Sequence, residues 1–234
     1  MHPLPYWRLS GYYFFYFAFI GAFSPYFGLY LQSLSFSAWD IGLLMSQMQL
    51  MRLFGPNLWG WLADRFGWRL PIIRLAGVIG LAGFTAFFWL DRLPGMLVAM
   101  AVLAFFWSAA LPLVEMLTFD HLREERGSYS RIRLWGSIGF IVAVMLTGTL
   151  LDVVPPSGVL WVCWGILLGI LGYALVLPEA APLRHDRGTQ PIGEILRQPQ
   201  VLAFMAACFA MSAAHGAFYV FYSIHLAEIG RAHV

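Results

Sequence analysis

Seven apolar runs, each close to the length a helix needs to cross a bilayer, limit this chain more than any other feature. They cover approximately residues 12–31, 41–63, 70–90, 96–119, 134–151, 159–177 and 201–226. About 30 Å of hydrocarbon takes roughly 20 helical residues. Only helices and closed barrels satisfy every backbone polar group in lipid. Barrel strands alternate apolar with polar, and the stretch 97–106 (Leu-Val-Ala-Met-Ala-Val-Leu-Ala-Phe-Phe) does not. The expected fold class is therefore all-α, a polytopic membrane protein. Composition excludes the soluble alternative. Residues of the AVILMFWYC set make up 60% and charged residues only 11%, against about 25% charged in a soluble domain. A formal net charge of +2 without a basic stripe excludes a nucleic-acid partner. Cys163 and Cys208 sit inside apolar runs and read as free thiols, so neither a disulfide frame nor a metal site is expected.

The connections are short. Ser37 followed three residues later by Asp40 is a capping-box pattern ahead of the second run. Asp91-Arg92-Leu93-Pro94-Gly95 and Pro155-Pro156-Ser157-Gly158 read as tight turns. Only 178–199 is long, and it follows six spans, so the expected organisation is a six-helix bundle over 1–177, a cytoplasmic linker over 178–199 and a seventh helix over 200–228. With the N-terminus inside, the cytoplasmic stretches hold nine arginines (Arg8, Arg65, Arg69, Arg123, Arg126, Arg131, Arg184, Arg187 and Arg197) and the opposite side, between the first and last spans, holds Arg92. That bias sets the expected topology, with the N-terminus cytoplasmic in the cell's inner membrane. The first run lacks the small-x-small ending of a cleavable signal. The final residues 229–234, Ile-Gly-Arg-Ala-His-Val, match what a common sequencing adapter encodes. They are expected to be a non-native tail on a truncated fragment.

Ionisable groups deep in a span cost several kcal/mol unless they are paired or wetted, so each is a candidate for function. Arg52 lies twelve residues before Asp64, about 18 Å along the second helix from its cytoplasmic end. It must face a polar cavity or an acidic partner on another helix. Glu115, three residues after Pro112, and Arg133, at the start of the fifth span, stand at similar depth on adjacent antiparallel helices. They offer a solute an acceptor pair and a planar donor fork; the same placement suits a positive-inside arginine with its counter-ion. His215 is followed by Tyr219 and Tyr222 on one helical face, a spacing that suits either a solute-contacting, proton-linked group or a helix-packing hydrogen-bond set. In the loop after the second span, Asp64 ends a helix whose dipole disfavours an anion. Arg65 and Arg69 are placed to compensate it, Gly67 permits the turn, and Gly60 allows a neighbouring helix to approach.

The stretch Gly60-x-Leu62-Ala63-Asp64-Arg65-x-Gly67-x-Arg69 resembles the G-x-L-a-D-r-x-G-r-[KR] signature of the major facilitator superfamily, with Trp68 in place of the first of two basic residues. The resemblance implies a conformational-latch role for Gly60, Asp64, Arg65, Gly67 and Arg69. Pro112-x-Val114-Glu115 with Arg133 eighteen residues later resembles the sugar-binding pair of the lactose permease (sugar–proton symporter) branch. The segments 131–140 and 56–60 and the His215–Tyr222 helix are more similar to the 3-phenylpropionate permease branch. The resemblance covers almost the whole chain. It implies the six-helix N-terminal bundle of a major facilitator transporter plus the first helix of a C-terminal bundle, the remainder of that bundle being the missing partner.

The expected function is proton-coupled symport of a small organic solute by alternating access. Glu115, Arg133, Arg52, His215, Tyr219 and Tyr222 would line the cavity, and Phe19, Tyr26, Phe106 and Trp107 are candidates to stack on a ring. Arginines suit an aromatic carboxylate such as phenylpropionate; a sugar or nucleoside is the alternative. The partners are the solute, a proton, the lipid bilayer and the second bundle, with no cofactor. An intramembrane enzyme would need clustered acidic, His or nucleophilic groups, and no H-E-x-x-H, D-x-x-x-D or G-x-S-x-G is present. A transporter-derived sensor would lose the buried charges, which this sequence keeps.

Overall fold

The computed structural model describes residues 4–122, 127–180, 193, 196–211, 213 and 214, and the only regular elements among these are helices. The chain divides into two units, Met1–Leu183 and Arg184–Val234. In the first, the helices are α1 (Tyr6–Ser33), α2 (Ala38–Phe66), α3 (Arg69–Thr85, continued by a 3-10 turn at Ala86–Phe88), α4 (Leu93–Leu122), α5 (Gly127–Leu151) and α6 (Gly158–Val176). In the second, α7 is described over Pro199–Met211. Arg123, Arg126, most of 178–199, His215, Tyr219, Tyr222 and the tail 229–234 lie outside the described residues.

The helix ends follow local chemistry. Ser37 and Asp40 close the expected capping box at the start of α2, satisfying backbone donors that no earlier turn can reach. Gly67 ends α2 at φ 69°, a left-handed conformation that costs glycine nothing. Several helix ends run past the apolar runs, α1 beginning at Tyr6 instead of near residue 12, and two further differences bear on the readings above. α4 begins at Leu93, so Pro94 and Gly95 belong to its first turn, where proline's missing N–H had no partner to lose. α5 begins at Gly127, and Arg133 is therefore two turns inside a helix rather than at its start. Hydropathy marks the lipid boundary, whereas the backbone hydrogen bonds run on past it.

α1 is the spine of the first unit. It packs against α5 and α6, while α3 packs against α4 and α6 and α2 packs against α4. Its buried face carries Tyr12, Tyr13, Tyr16, Phe19, Phe23 and Phe27. Phe19, Phe23 and Phe27 stack in a column with ring centroids 5.1 and 4.5 Å apart. Opposite this aromatic bulk, α5 offers glycine. A Cβ at Gly139 would collide with the Phe14 backbone carbonyl, and one at Gly21 would sit 2.6 Å from the Phe140 carbonyl oxygen. Small residues permit such backbone approach, and close packing is what holds helices together where lipid removes the hydrophobic drive.

Five helices of this unit have apolar stretches long enough to cross a membrane. α2 is long enough but not apolar enough, because Ser46, Gln47, Gln49, Arg52 and Asn57 interrupt its middle. At the other extreme, the C-terminal carbonyls of α6 are closely held. Arg74 donates to Ala174, Leu175 and Leu177 at 3.2–3.4 Å, and Arg8 donates to Val176 at 3.1 Å. His121 pairs with the Pro178 carbonyl at 3.2 Å.

Gly60 is not a close-approach glycine within this unit: among the described residues a Cβ there meets nothing within 4 Å. Gly55, one turn earlier, has that role, lying against Ser108 of α4. Gly139→Val should therefore lower stability by about 1–3 kcal/mol through overpacking. Gly60→Ala should stay within about 0.5 kcal/mol, both read from thermal unfolding in detergent.

Candidate functional site

The polar interruption of α2 positions the first candidate. Arg52 is exposed on the first unit and donates to Gln49 Oε1, one turn back, at 3.3 Å. Both line a cavity of about 110 Å³ between α1, α2 and α4. Ser24 and Phe19 of α1, Met48 of α2 and Trp107 of α4 contribute further walls. Trp107 stacks on Tyr16 with centroids 4.3 Å apart, and its buried Nε1 has no hydrogen-bond partner.

The second candidate is the α4–α5 pair. Arg133 Nε lies 3.9 Å from Glu115 Oε1, both side chains about one-third exposed. Tyr129 donates to the same carboxylate oxygen at 3.4 Å. The Arg133 guanidinium lies over the Phe17 ring, 4.0 Å from its centroid, a cation–π contact that strengthens as water is withdrawn. Arg52 shares its cavity with Trp107, which stacks on Tyr16, and Arg133 lies over Phe17, the next residue of α1, beside Glu115. The structure thus brings these three candidates to one region of the bundle, around the Tyr16–Trp107 stack.

The proposed ring-stacking residues divide. Phe19 and Trp107 reach the Arg52 cavity. Tyr26 is committed elsewhere, donating to the Val144 carbonyl at 2.9 Å. Phe106 packs on Trp59 with centroids 5.4 Å apart.

The loop after α2 is wired differently from the sequence reading. Arg69 does not compensate Asp64; it forms an ion pair with Asp120 near the end of α4, with 15% and 9% of the two side chains exposed. Asp64 and Arg65 are exposed and form no ion pair among the described residues. Trp68, standing where a basic residue was expected, stacks on Phe66 at 5.1 Å. The sequence reading missed Asp120, although an acid one turn from the arginine-rich α4–α5 connection was the available signal. Among the described residues, no group of three or more His, Cys, Asp or Glu is placed to hold a metal ion.

Breaking one partner of a largely buried pair strands the other, with solvent reducing the penalty. Arg69→Gln and Asp120→Asn should each lower stability by about 1–3 kcal/mol. The double variant should fall short of their sum by at least about 0.5 kcal/mol, measured as a double-mutant cycle in detergent.

Several known proteins are similar to this chain in sequence or in arrangement. The chain is 29% identical over 236 residues to the uncharacterized transporter YwbF of Bacillus subtilis (strain 168), covering 96% of this chain and 57% of that protein. It is 35% identical over 144 residues to the maltose permease of Geobacillus stearothermophilus, covering 60% and 36%. It is 25% identical over 233 residues to the probable 3-phenylpropionic acid transporter of Escherichia coli (strain K12), covering 96% and 60%. The chain therefore spans little more than half the length of the relatives it matches along its whole extent. The crystal structure of the nucleoside transporter NupG superposes with a TM-score of 0.72 at 21% identity, covering 91% of this chain and 54% of that one. A family model matches residues 6–233, and the chain belongs to the MFS_1 like family of major facilitator proteins.

Proposed function

We propose that this protein is a secondary active transporter of the inner membrane that carries a small organic acid together with a proton by alternating access. The observation that supports this most is the gathering of Arg52, Glu115 and Arg133 around Tyr16 inside the spans. Such charges are costly in hydrocarbon, and in membrane proteins they mark wetted solute paths. In this reading residues 1–177 work as one bundle, 178–199 as a cytoplasmic linker, and the helix over 200–228 opens a second bundle. The arginine bias supports a cytoplasmic N-terminus in this reading.

An aromatic carboxylate such as phenylpropionate suits arginines set beside stacked rings, and the Escherichia coli relative carries a matching name. A sugar or nucleoside is the second reading. The Glu115–Arg133 pair supports it, because a carboxylate facing a guanidinium also suits hydroxyl groups. His215, Tyr219 and Tyr222 are proposed to complete the solute site. Gly60, Asp64, Arg65, Gly67 and Arg69 are proposed as the latch, and Asp120 fixes Arg69 within it.

Uptake of labelled phenylpropionate, lactose and a nucleoside into proteoliposomes holding the full-length gene product tests this. The acid should accumulate with alkalinisation of the medium outside. Movement of sugar or nucleoside alone would select the second reading, and no movement of any would reject both. Glu115→Gln should weaken solute binding about tenfold, as expected for loss of a charge-assisted hydrogen bond, with little loss of expression. Asp64→Asn should slow turnover while leaving solute affinity unchanged.

A further inference from the structure

The two guanidiniums that border the Tyr16–Trp107 stack are not equivalent. Arg133 already has its counter-ion and a ring face: Glu115 at 3.9 Å and Phe17 at 4.0 Å to the centroid. Arg52 donates to the neutral Gln49, and no carboxylate lies within 4 Å of it among the described residues. A cation left in a span without an anion is the group that gains most from meeting one, and a carboxylate fits its donor fork with two parallel hydrogen bonds.

The cavity around Arg52 matches the rest of such a molecule. On α2 its lining residues Met45, Met48, Gln49 and Arg52 lie on one helical stripe, running about 10 Å from thioether to guanidinium. Facing them are the rings of Phe19, Phe23 and Trp107. Aromatic rings also pack on an arene through their edges, and methionine sulfur favours aromatic contact. The Ser24 hydroxyl adds a polar group on the same walls. The cavity measures about 110 Å³.

Resting on the transport reading above, we propose that this cavity is the carboxylate subsite. Arg52 holds the anionic head of an arylalkanoate, the Met45–Phe23–Trp107 walls take its ring, and Arg133 is not the anion anchor because Glu115 already neutralises it. Selectivity between an acid and its neutral analogue accordingly resides in Arg52.

Equilibrium binding of 3-phenylpropionate and 3-phenylpropanamide to the full-length gene product in detergent tests this. The unsubstituted protein should prefer the acid. Arg52→Gln should weaken acid binding about 30-fold while changing amide affinity less than about threefold, and Arg52→Lys should restore part of the preference. Arg133→Gln should keep the preference whatever it does to affinity overall. Retained acid preference in Arg52→Gln, or its abolition in Arg133→Gln with Arg52 intact, would overturn the assignment while leaving an organic-acid transporter in place. An unsubstituted protein that binds neither compound overturns the functional reading and the subsite with it. As a check independent of Arg52, Ser24→Cys, with Cys163 and Cys208 replaced by serine, should be shielded from maleimide by the acid. Alkylation at the same rate with and without saturating acid would place the solute elsewhere.

Discussion

A guanidinium within or beside a helix bundle in a bilayer must meet an anion, a ring face or water, and the arrangement of this bundle follows from how four arginines meet that demand. Arg69 has Asp120. Arg133 has Glu115 and the face of Phe17. Arg74 is spread over three backbone carbonyls at the end of α6. Arg52 borders a cavity with a neutral amide as its partner. The first three contacts tie helices together. The fourth stays within α2, with Gln49 as its partner, and lines a cavity instead of joining two helices.

The same division explains the uneven polarity of the helices. α6 is apolar along its length, and α4 is apolar up to Ser108, with Glu115, Asp120 and His121 gathered in its second half. α2 carries Ser46, Gln47, Gln49, Arg52 and Asn57 through its middle, a sequence that lipid on all sides would penalise. α1 resolves the opposite problem. Its aromatic face fills the centre, and the glycines at 21 and 139 let the backbones of α1 and α5 come close enough to seat that bulk.

Much of this was legible in the residues alone. Run length and the absence of alternation specify the helices, because lipid allows the backbone few choices. The Ser37–Asp40 cap and the Gly67 turn were readable because their chemistry is local. Partner choice was not readable, because it is set by three-dimensional proximity. Arg69 is five residues from Asp64, yet it pairs with Asp120, fifty-one residues away. Gly60 and Gly55 both punctuate α2, and nothing in either neighbourhood says which faces Ser108. The start of α5 was misplaced for a further reason: Arg131 and Arg133 lower hydropathy without lowering helix propensity. The residues beyond the described part, His215 among them, rest on their spacing.

The clamp on the last turn of α6 has a mechanical consequence. Donors from α1, α3 and α4 all terminate on carbonyls of residues 174–178, so three other helices are strapped to one rim of the bundle. A helix end bound in this way cannot fray to absorb stress. Strain applied at that rim is therefore shared among α1, α3, α4 and α6 instead of falling on one helix end.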